Sequence, residues 1–174
     1  VVINALPVAP VATSNSPICA GATLNLFASL IPTATYSWTG PNSFSSSLQN
    51  PTIPSATTLA SGIYTVTATV NGCTGPGGTV SVTVTAQPAA PTPSSNSPIC
   101  AGQNLNLTSN LVQSATYAWS GPNAFSSTLQ NPTIVAATVA ASGIYTLTVT
   151  VGGCASPTAT TSVTVNPAPI APTA

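Results

Sequence analysis

Four cysteines carry the reactive chemistry of this 174-residue sequence, because a thiol can form a disulfide, bind a metal or act as a nucleophile. Cys19 and Cys73 are 54 residues apart, and Cys100 and Cys154 repeat that spacing. The chain contains no Lys, Arg, Asp, Glu or His, whereas about a quarter of the residues of a typical soluble domain are charged. A catalytic thiol needs a neighbouring base or cation to activate it. The pattern therefore favours disulfides formed in an oxidising compartment.

The missing charged side chains exclude whole classes of function. General acid–base catalysis at neutral pH needs a group that titrates near 7, and carboxylate and imidazole metal ligands are absent. A zinc site built from four thiolates would lack the usual Cys-x2-Cys spacing. Without Lys or Arg, the chain has no cationic side chain that could contact the phosphates of a nucleic acid. We predict that the chain is not an enzyme, needs no metal or other cofactor, and binds no nucleic acid.

The cysteines belong to a tandem repeat with a period of 81 residues. The sequence SNSPICAG begins at Ser14 and again at Ser95, and a Tyr-x-Trp pair occurs at Tyr36 and at Tyr117. The predicted parts are residues 1–9, the end of a preceding repeat with its linker; 10–90, the first repeat; 91–171, the second repeat; and 172–174, the start of a following repeat. Pro- and Ala-rich linkers between repeats favour extended polyproline II structure. The sequence thus indicates a longer array.

Alternation of apolar and hydroxyl-bearing residues predicts strands. Residues 63–70 place Tyr64, Val66, Ala68 and Val70 on one face and three Thr on the other. Five to seven such strands in each repeat, with one Trp and a late Tyr, are typical of a β-sandwich. The predicted fold class is all-β, with two tandem Ig-like β-sandwich domains in a head-to-tail array. The aromatic residues predicted for the two cores are Trp38, Trp119, Tyr64 and Tyr145.

Sequence spacing leaves three states open for the cysteines. An intradomain bond would pair Cys19 with Cys73, and Cys100 with Cys154. Ig topology opposes it, because Cys19 precedes the second strand and Cys73 follows the late strand that runs in the same direction. The nine residues from Tyr64 to Cys73 alone span roughly 30 Å in a strand, whereas disulfide-bonded Cα atoms lie about 4.4–6.8 Å apart. We therefore favour inter-repeat pairing of Cys19 with Cys154, with Cys73 and Cys100 bonded to neighbouring repeats; free thiols are the third state.

Several motifs together carry a family resemblance. Ile-Cys-x-Gly at Ile18, Tyr-x-Trp at Tyr36, Gly-x-Tyr-Thr-Val-Thr at Gly62 and Gly-Cys at Gly72 precede a closing Val-x-Val-x-Val strand that begins at Val80. This order resembles PKD-like/Ig-like repeats of very long secreted surface proteins and adhesins of Bacteroidota-type bacteria. The resemblance implies an extracellular, surface-attached or polymeric array of PKD-like/Ig-like domains. The acidic turn residues of PKD-type relatives are missing here, so no calcium loop is carried over.

Other surfaces have a functional and a structural interpretation. The Thr rows 65–69 and 146–150 could bind ice or carry sugars, although Thr also suits an exposed strand face. Tyr36, Trp38 and Phe44 could form a carbohydrate platform, but a Trp at this place in a sandwich usually belongs to the core. The loop Gly40–Ile53 is expected to cover an open sandwich edge through Phe44 and Leu48. Asn106 begins the sequon Asn-Leu-Thr within a predicted strand.

A surface without charge also predicts how the molecule behaves. Charged side chains normally keep strand edges and sheet faces of different molecules apart, and this chain has none. We therefore expect it to associate with copies of itself, as a structural subunit of an extracellular filament or surface stalk. The alternative is an adhesive module that binds surface glycans. No apolar run approaches the roughly 18 residues of a membrane span.

Overall fold

The computed structural model describes residues 5–169. The chain divides into two compact units, Val1–Ala86 and Gln87–Ala174. The segments interpreted as parts of neighbouring repeats include Val1–Asn4 and residues 172–174, which lie outside the described residues. No helix in the described range is both long enough and apolar enough to cross a membrane.

The described residues of the first unit form ten strand segments and one short 3-10 helix, Thr58–Ala60. The strands are β1 (Ala12–Ser14), β2 (Ile18–Cys19), β3 (Leu24–Ala28), β4 (Thr35–Gly40), β5 (Phe44–Ser46), β6 (Thr52–Ile53), β7 (Gly62–Val70), β8 (Cys73–Thr74), β9 (Gly78–Val82) and β10 (Val84–Thr85). The number exceeds the predicted five to seven partly because the first and last strands of the sandwich are each interrupted.

The described residues of the second unit form the same elements 81 positions later, with a 3-10 helix at Val139–Ala141. The strands are β11 (Ser94–Ser95), β12 (Ile99–Cys100), β13 (Leu105–Thr108), β14 (Thr116–Gly121), β15 (Phe125–Ser127), β16 (Thr133–Ile134), β17 (Gly143–Val151), β18 (Cys154–Ala155), β19 (Ala159–Val163) and β20 (Val165–Asn166).

Each unit is a sandwich of two antiparallel sheets. In the first unit one sheet has the order β1–β3–β6 and the other β5–β4–β7, with β8 and β9 both paired to β7. A third pairing, β2 with β10, is parallel. The second unit has the corresponding sheets β11–β13–β16 and β15–β14–β17, with β18 and β19 on β17 and a parallel β12–β20 pair. The predicted all-β fold with two sandwich domains is confirmed.

The two-residue period of the sequence places the core between the sheets. Along β7, Tyr64, Val66 and Ala68 are fully buried, and the Thr residues between them are half-buried on the opposite face. Trp38 of β4 is the register partner of Val66 and is also fully buried, as is Leu26 of β3. Apolar burial of this kind supplies the main driving force for folding each unit.

Tyr64 is tied to the chain four residues earlier. Its hydroxyl donates a hydrogen bond to the carbonyl oxygen of Ala60 at 2.9 Å, and Tyr145 donates to Ala141 at the same distance. This arrangement is the tyrosine corner typical of Ig sandwiches. Burial raises the pKa of both phenols above their ordinary value of about 10, because the ionised form would lose its hydration.

Gly40 is required at the end of β4 because the Tyr64 ring lies directly over its backbone. A Cβ at this position would be 2.4 Å from Cδ1 of Tyr64. Phe44 packs edge-on against the same ring, with centroids 5.4 Å apart. Gly121 of the second unit stands in the same relation to Tyr145. The small residue and the aromatic pair together fix where β4 turns into β5.

The first strand changes sheets, and this change positions the first cysteine. β1 pairs with β3, but beyond the Ser16–Pro17 bond, which is cis, β2 pairs with β10 instead. Pro17 has no N–H with which to continue the β1 ladder. The Ser16 hydroxyl oxygen accepts a hydrogen bond from the Thr83 amide at 2.7 Å. The chain is thereby guided so that Cys19 is the register partner of Thr85.

Candidate functional site

Cys19 lies at one end of the first unit and is held by backbone hydrogen bonds on both sides. The Ile18 amide donates to the Thr83 carbonyl at 3.1 Å, and the Ala20 amide donates to the Thr85 carbonyl at 2.8 Å. The side chain of Cys19 is half-buried. A strand of only two residues is therefore enough to fix the backbone of Cys19 at this end of the unit.

Cys100 occupies the same place in the second unit, opposite Asn166 of β20. The Ala101 amide donates to the Asn166 carbonyl at 2.8 Å. The Cys100 amide itself donates to Oε1 of Gln103 at 2.9 Å, a side-chain contact that Ala22 cannot provide at the matching position of the first unit. The Cys100 side chain is exposed.

Cys73 follows a tight turn at the end of β7. Asn71 and Gly72 have φ values of 49° and 79°, and Val70 and Cys73 are register partners across the turn. Two consecutive positive φ values are typical of the type I′ hairpin turn that Asn-Gly favours. In the second unit Cys154 follows two glycines whose φ values are 57° and 82°. The same backbone geometry therefore presents both of these cysteines.

The two cysteines of a unit lie at opposite ends of its sandwich. Cys19 is level with the end of β10, whose neighbour β9 pairs Val82 with Gly62 at the start of β7. Cys73 lies beyond the other end of β7, which is nine residues long and spans roughly 30 Å. That separation is several times the Cα distance that a disulfide allows.

The oxidation states of the cysteines agree with this geometry. Cys19 and Cys154 are disulfide-bonded, whereas Cys73 and Cys100 carry free thiols. Neither of the intradomain pairs considered from the sequence, Cys19 with Cys73 or Cys100 with Cys154, is therefore formed. Each unit has one bonded cysteine and one free thiol. In the first unit the bonded cysteine, Cys19, lies beside the closing strand and the free thiol lies on the hairpin. In the second unit the bonded cysteine, Cys154, lies on the hairpin and the free thiol lies beside the closing strand.

The Thr rows lie on the outer face of the sheet that contains β4 and β7. Thr69 and Thr74 are joined by a hydroxyl–hydroxyl hydrogen bond of 2.8 Å, and Ser120 and Thr146 by one of 2.6 Å. These hydroxyls thus satisfy one another in part across neighbouring strands. These hydrogen bonds between neighbouring strands stabilise the outer face of the sheet.

The aromatic residues considered as a carbohydrate platform do not form one. Trp38 is fully buried, and its Nε1–H donates to the Gln49 carbonyl at 3.1 Å. The buried Tyr36 hydroxyl accepts from the Ile31 amide and donates to the Ser29 carbonyl. These rings face the core because each polar atom finds a backbone partner there.

The loop Gly40–Ile53 closes the sandwich edge differently from the prediction. Phe44 packs on the core as expected, but the Leu48 side chain is 65% exposed and covers nothing in the core. The contacts come instead from the next two residues: Gln49 Nε2 donates to the Ala28 carbonyl at 2.8 Å, and Asn50 Oδ1 accepts from the Ala28 amide at 3.1 Å. Polar side chains thus satisfy the backbone N–H and C=O groups of Ala28, which a neighbouring strand would otherwise bond. The signal for them was the QNP sequence, which occurs in both repeats.

The remaining candidates carry little chemistry. Asn106 is exposed on β13, and its Oδ1 accepts a hydrogen bond from the Thr133 hydroxyl at 2.9 Å. Among residues 5–169, the Cys side chains form no group of three or more that could hold a metal ion. The cysteine positions therefore remain the best-defined functional feature.

Comparison with known proteins identifies a fold. No protein-family model and no curated protein sequence matches the chain. A chain of the complex between the mouse coronavirus receptor-binding domain and its murine receptor is 13% identical, with a TM-score of 0.52 over 90% of this chain and 99% of that one. Extracellular domains 3–5 of Drosophila OTK are also 13% identical, with a TM-score of 0.50 over 92% of this chain and 60% of that one. The chain therefore consists of two Ig-like β-sandwich domains.

Proposed function

We propose that this chain is a structural subunit of an extracellular filament or surface stalk, built from charge-free Ig-like repeats arranged head to tail. Consecutive repeats are joined by the peptide chain and by a disulfide between Cys19 of the first repeat and Cys154 of the second. The observation that carries this proposal is the placement of the cysteines of each domain at opposite ends. Such a domain can form a disulfide with a neighbour at each end, but its own two cysteines are too far apart to bond with each other.

The oxidation states support this pairing. Cys19 and Cys154 are both disulfide-bonded, and the intradomain partner of each is a free thiol. Cys154 is only 2% exposed, whereas its counterpart Cys73 is half-buried in the same hairpin geometry. A bonded sulfur that is covered by its partner would account for that difference.

The surface composition supports permanent assembly. Large apolar side chains are exposed at matching positions of both repeats, among them Ile63 and Ile144 at 64% and 63%, and Leu48 and Leu129 at 65% and 64%. No charged side chain surrounds them to oppose association. A dissolved monomer would be prone to aggregate with such a surface, but in an assembled fibre the same side chains would stabilise contacts between copies.

An extracellular location is supported by the disulfide, because such bonds persist in oxidising compartments. The resemblance of the repeat motifs to secreted PKD-like/Ig-like surface proteins of Bacteroidota-type bacteria points the same way. The alternative function, an adhesin module for surface glycans, loses its best candidate because Tyr36 and Trp38 are buried in the core. A glycan array would revive it if binding survived reduction and disappeared when the loop Gly40–Ile53 was changed.

Disulfide mapping by mass spectrometry tests the proposed link. Trypsin finds no site, but cleavage of the denatured, unreduced chain after its aromatic residues separates the cysteines into peptides 1–27, 65–117 and 146–174. We expect peptide 1–27, with Cys19, to be linked to peptide 146–174, with Cys154. Peptide 65–117 contains both Cys73 and Cys100, so its link to 1–27 would refute the Cys19–Cys154 bond, and reduction serves as the control.

Electron microscopy of native material tests the filament itself. We expect fibres whose axial repeat corresponds to one or two domains, and which persist when pH and salt are varied but weaken under reductant. Soluble, monodisperse monomers at high concentration would refute the structural role, because the uncharged surface would then fail to drive the association of copies that the proposal requires.

A further inference from the structure

Two thiols remain outside the proposed intrachain link. Cys73 is half-buried and Cys100 is exposed, and both are free. They are of different kinds, since Cys73 lies on the β7–β8 hairpin and Cys100 lies on the strand that pairs in parallel with β20. Each therefore has a disulfide-bonded counterpart in the other repeat, Cys154 for Cys73 and Cys19 for Cys100.

The backbone around each free thiol matches that of its bonded counterpart. Cys73 and Cys154 both follow a two-residue turn with positive φ, and each is paired with the last residue of the preceding long strand. Cys19 and Cys100 are both register partners of the final residue of a closing strand. The free thiols thus have the backbone setting of a disulfide that this fold already supports, but they lack a partner within the chain's described residues.

We propose that Cys100 of one copy and Cys73 of a second copy form an intermolecular disulfide, so that the chain polymerises covalently in a single direction. This inference rests on the proposed pairing of Cys19 with Cys154, because the new junction repeats it with the same two kinds of cysteine. Head-to-tail contacts between unlike surfaces leave an open end on every product and propagate in one direction, whereas a bond between like cysteines joins two copies as a two-fold pair that faces opposite ways.

The oxidant required is a small-molecule disulfide, such as oxidised glutathione. The thiolate of Cys100 attacks one sulfur of this disulfide, forms a mixed disulfide and releases one small thiol. The thiolate of Cys73 on the second copy then attacks the Cys100 sulfur and releases the other small thiol. Two protein thiols are oxidised by two electrons, the small disulfide is reduced to two thiols, and the two protein protons end on the released thiols.

Single substitutions separate the two kinds of end. Cys73→Ser retains only the Cys100 thiol, and Cys100→Ser retains only the Cys73 thiol; neither side chain is fully buried, so both variants should fold. In oxidised glutathione, we expect a ladder of multimers from the wild type on a non-reducing gel and only monomer from each variant alone. A mixture of the two variants should give a dimer and nothing larger, because each product then has no thiol left to extend.

Three results would overturn the proposal. Dimers of Cys73→Ser alone would show that the Cys100 thiols pair with each other without selectivity. Wild-type monomer that loses both thiols without a gain in mass would show an intramolecular bond, and monomer that carries two glutathione adducts or keeps both thiols would show no coupling between copies. The mapped link between peptides 1–27 and 146–174, measured on the same samples, reports separately on the Cys19–Cys154 bond. Its presence without a ladder refutes only the intermolecular junction.

Discussion

Replacing Tyr64 with Phe removes one hydroxyl from the core and leaves the ring in place. The hydroxyl donates to the Ala60 carbonyl at 2.9 Å, Tyr64 is fully buried, and Ala60 is 8% exposed. Without the donor, this carbonyl keeps little access to water. Leaving a buried acceptor unsatisfied costs about 1–3 kcal/mol. We therefore expect the free energy of unfolding of the first domain to fall by that amount, or about 5- to 150-fold in the unfolding equilibrium constant.

Urea unfolding followed by tryptophan fluorescence measures this change, because each domain contains a single Trp in its core. In a Trp119→Phe background, Trp38 reports on the first domain alone. The midpoint should move to lower urea while the slope of free energy against urea stays constant, since the surface exposed on unfolding is the same. Tyr145→Phe in a Trp38→Phe background should reproduce the effect in the second domain, where the matching bond is also 2.9 Å.

Thr67→Val is the matched control, since it removes a hydroxyl from the same strand without leaving a buried acceptor. Thr67 is half-buried on the outer face, and its hydroxyl lies 3.5 Å from the Ser37 carbonyl oxygen, at the limit of a hydrogen bond. Its cost should stay within about 0.5 kcal/mol. The reasoning is refuted if Tyr64→Phe is equally mild, or if Thr67→Val costs as much as Tyr64→Phe.

Three further predictions follow from the packing and from the missing charges. Gly40→Ala should destabilise the first domain by about 1–3 kcal/mol in the same urea assay, because its Cβ overlaps the Tyr64 ring; exposed Ser37→Ala should change little, and equal effects would contradict the overlap. Stability should be constant from about pH 4 to 9 and fall above about 10. The reason is that unfolded Tyr64 and Tyr145 ionise near 10 while burial raises their folded pKa values; a fall near pH 5 in a pH series would contradict this. Raising ionic strength from about 0.01 to 0.15 M shortens the Debye length from about 30 to 8 Å, yet the urea midpoint should not move.

The main features of the fold could be predicted because its long strands carry a strong periodic signal. In β7, four apolar residues alternate with three Thr, and the burial pattern follows that alternation until Val70, which is only half-buried. The pairing of β2 with β10 could not be predicted in the same way. A strand of two residues has no period, and its place depends on the Ser16 hydrogen bond to Thr83 and on the chain leaving the first sheet at Pro17.

The candidate site was predictable in position and not in detail. Ig topology alone separates Cys19 from Cys73, because strand directions in a sandwich are fixed by its connections. The role of Gln49 and Asn50 is not predictable, since amide side chains that bond a strand's backbone leave no hydrophobic pattern. The prediction that Leu48 covers the sandwich edge rests on its hydrophobicity alone and is wrong. Sequence spacing also says nothing about which thiols are oxidised.

The parallel pairing of β2 with β10 has a mechanical consequence. Cys19 is the register partner of Thr85, so the backbone of Cys19 and the end of the last strand are adjacent on neighbouring parallel strands. In the proposed filament, the Cys19 disulfide and the linker peptide would therefore both pull on the first domain at this pair of strands. Because the two strands run in the same direction, tension shared by both would not shear β2 against β10, and reduction of the proposed disulfide would shift the whole load to β10.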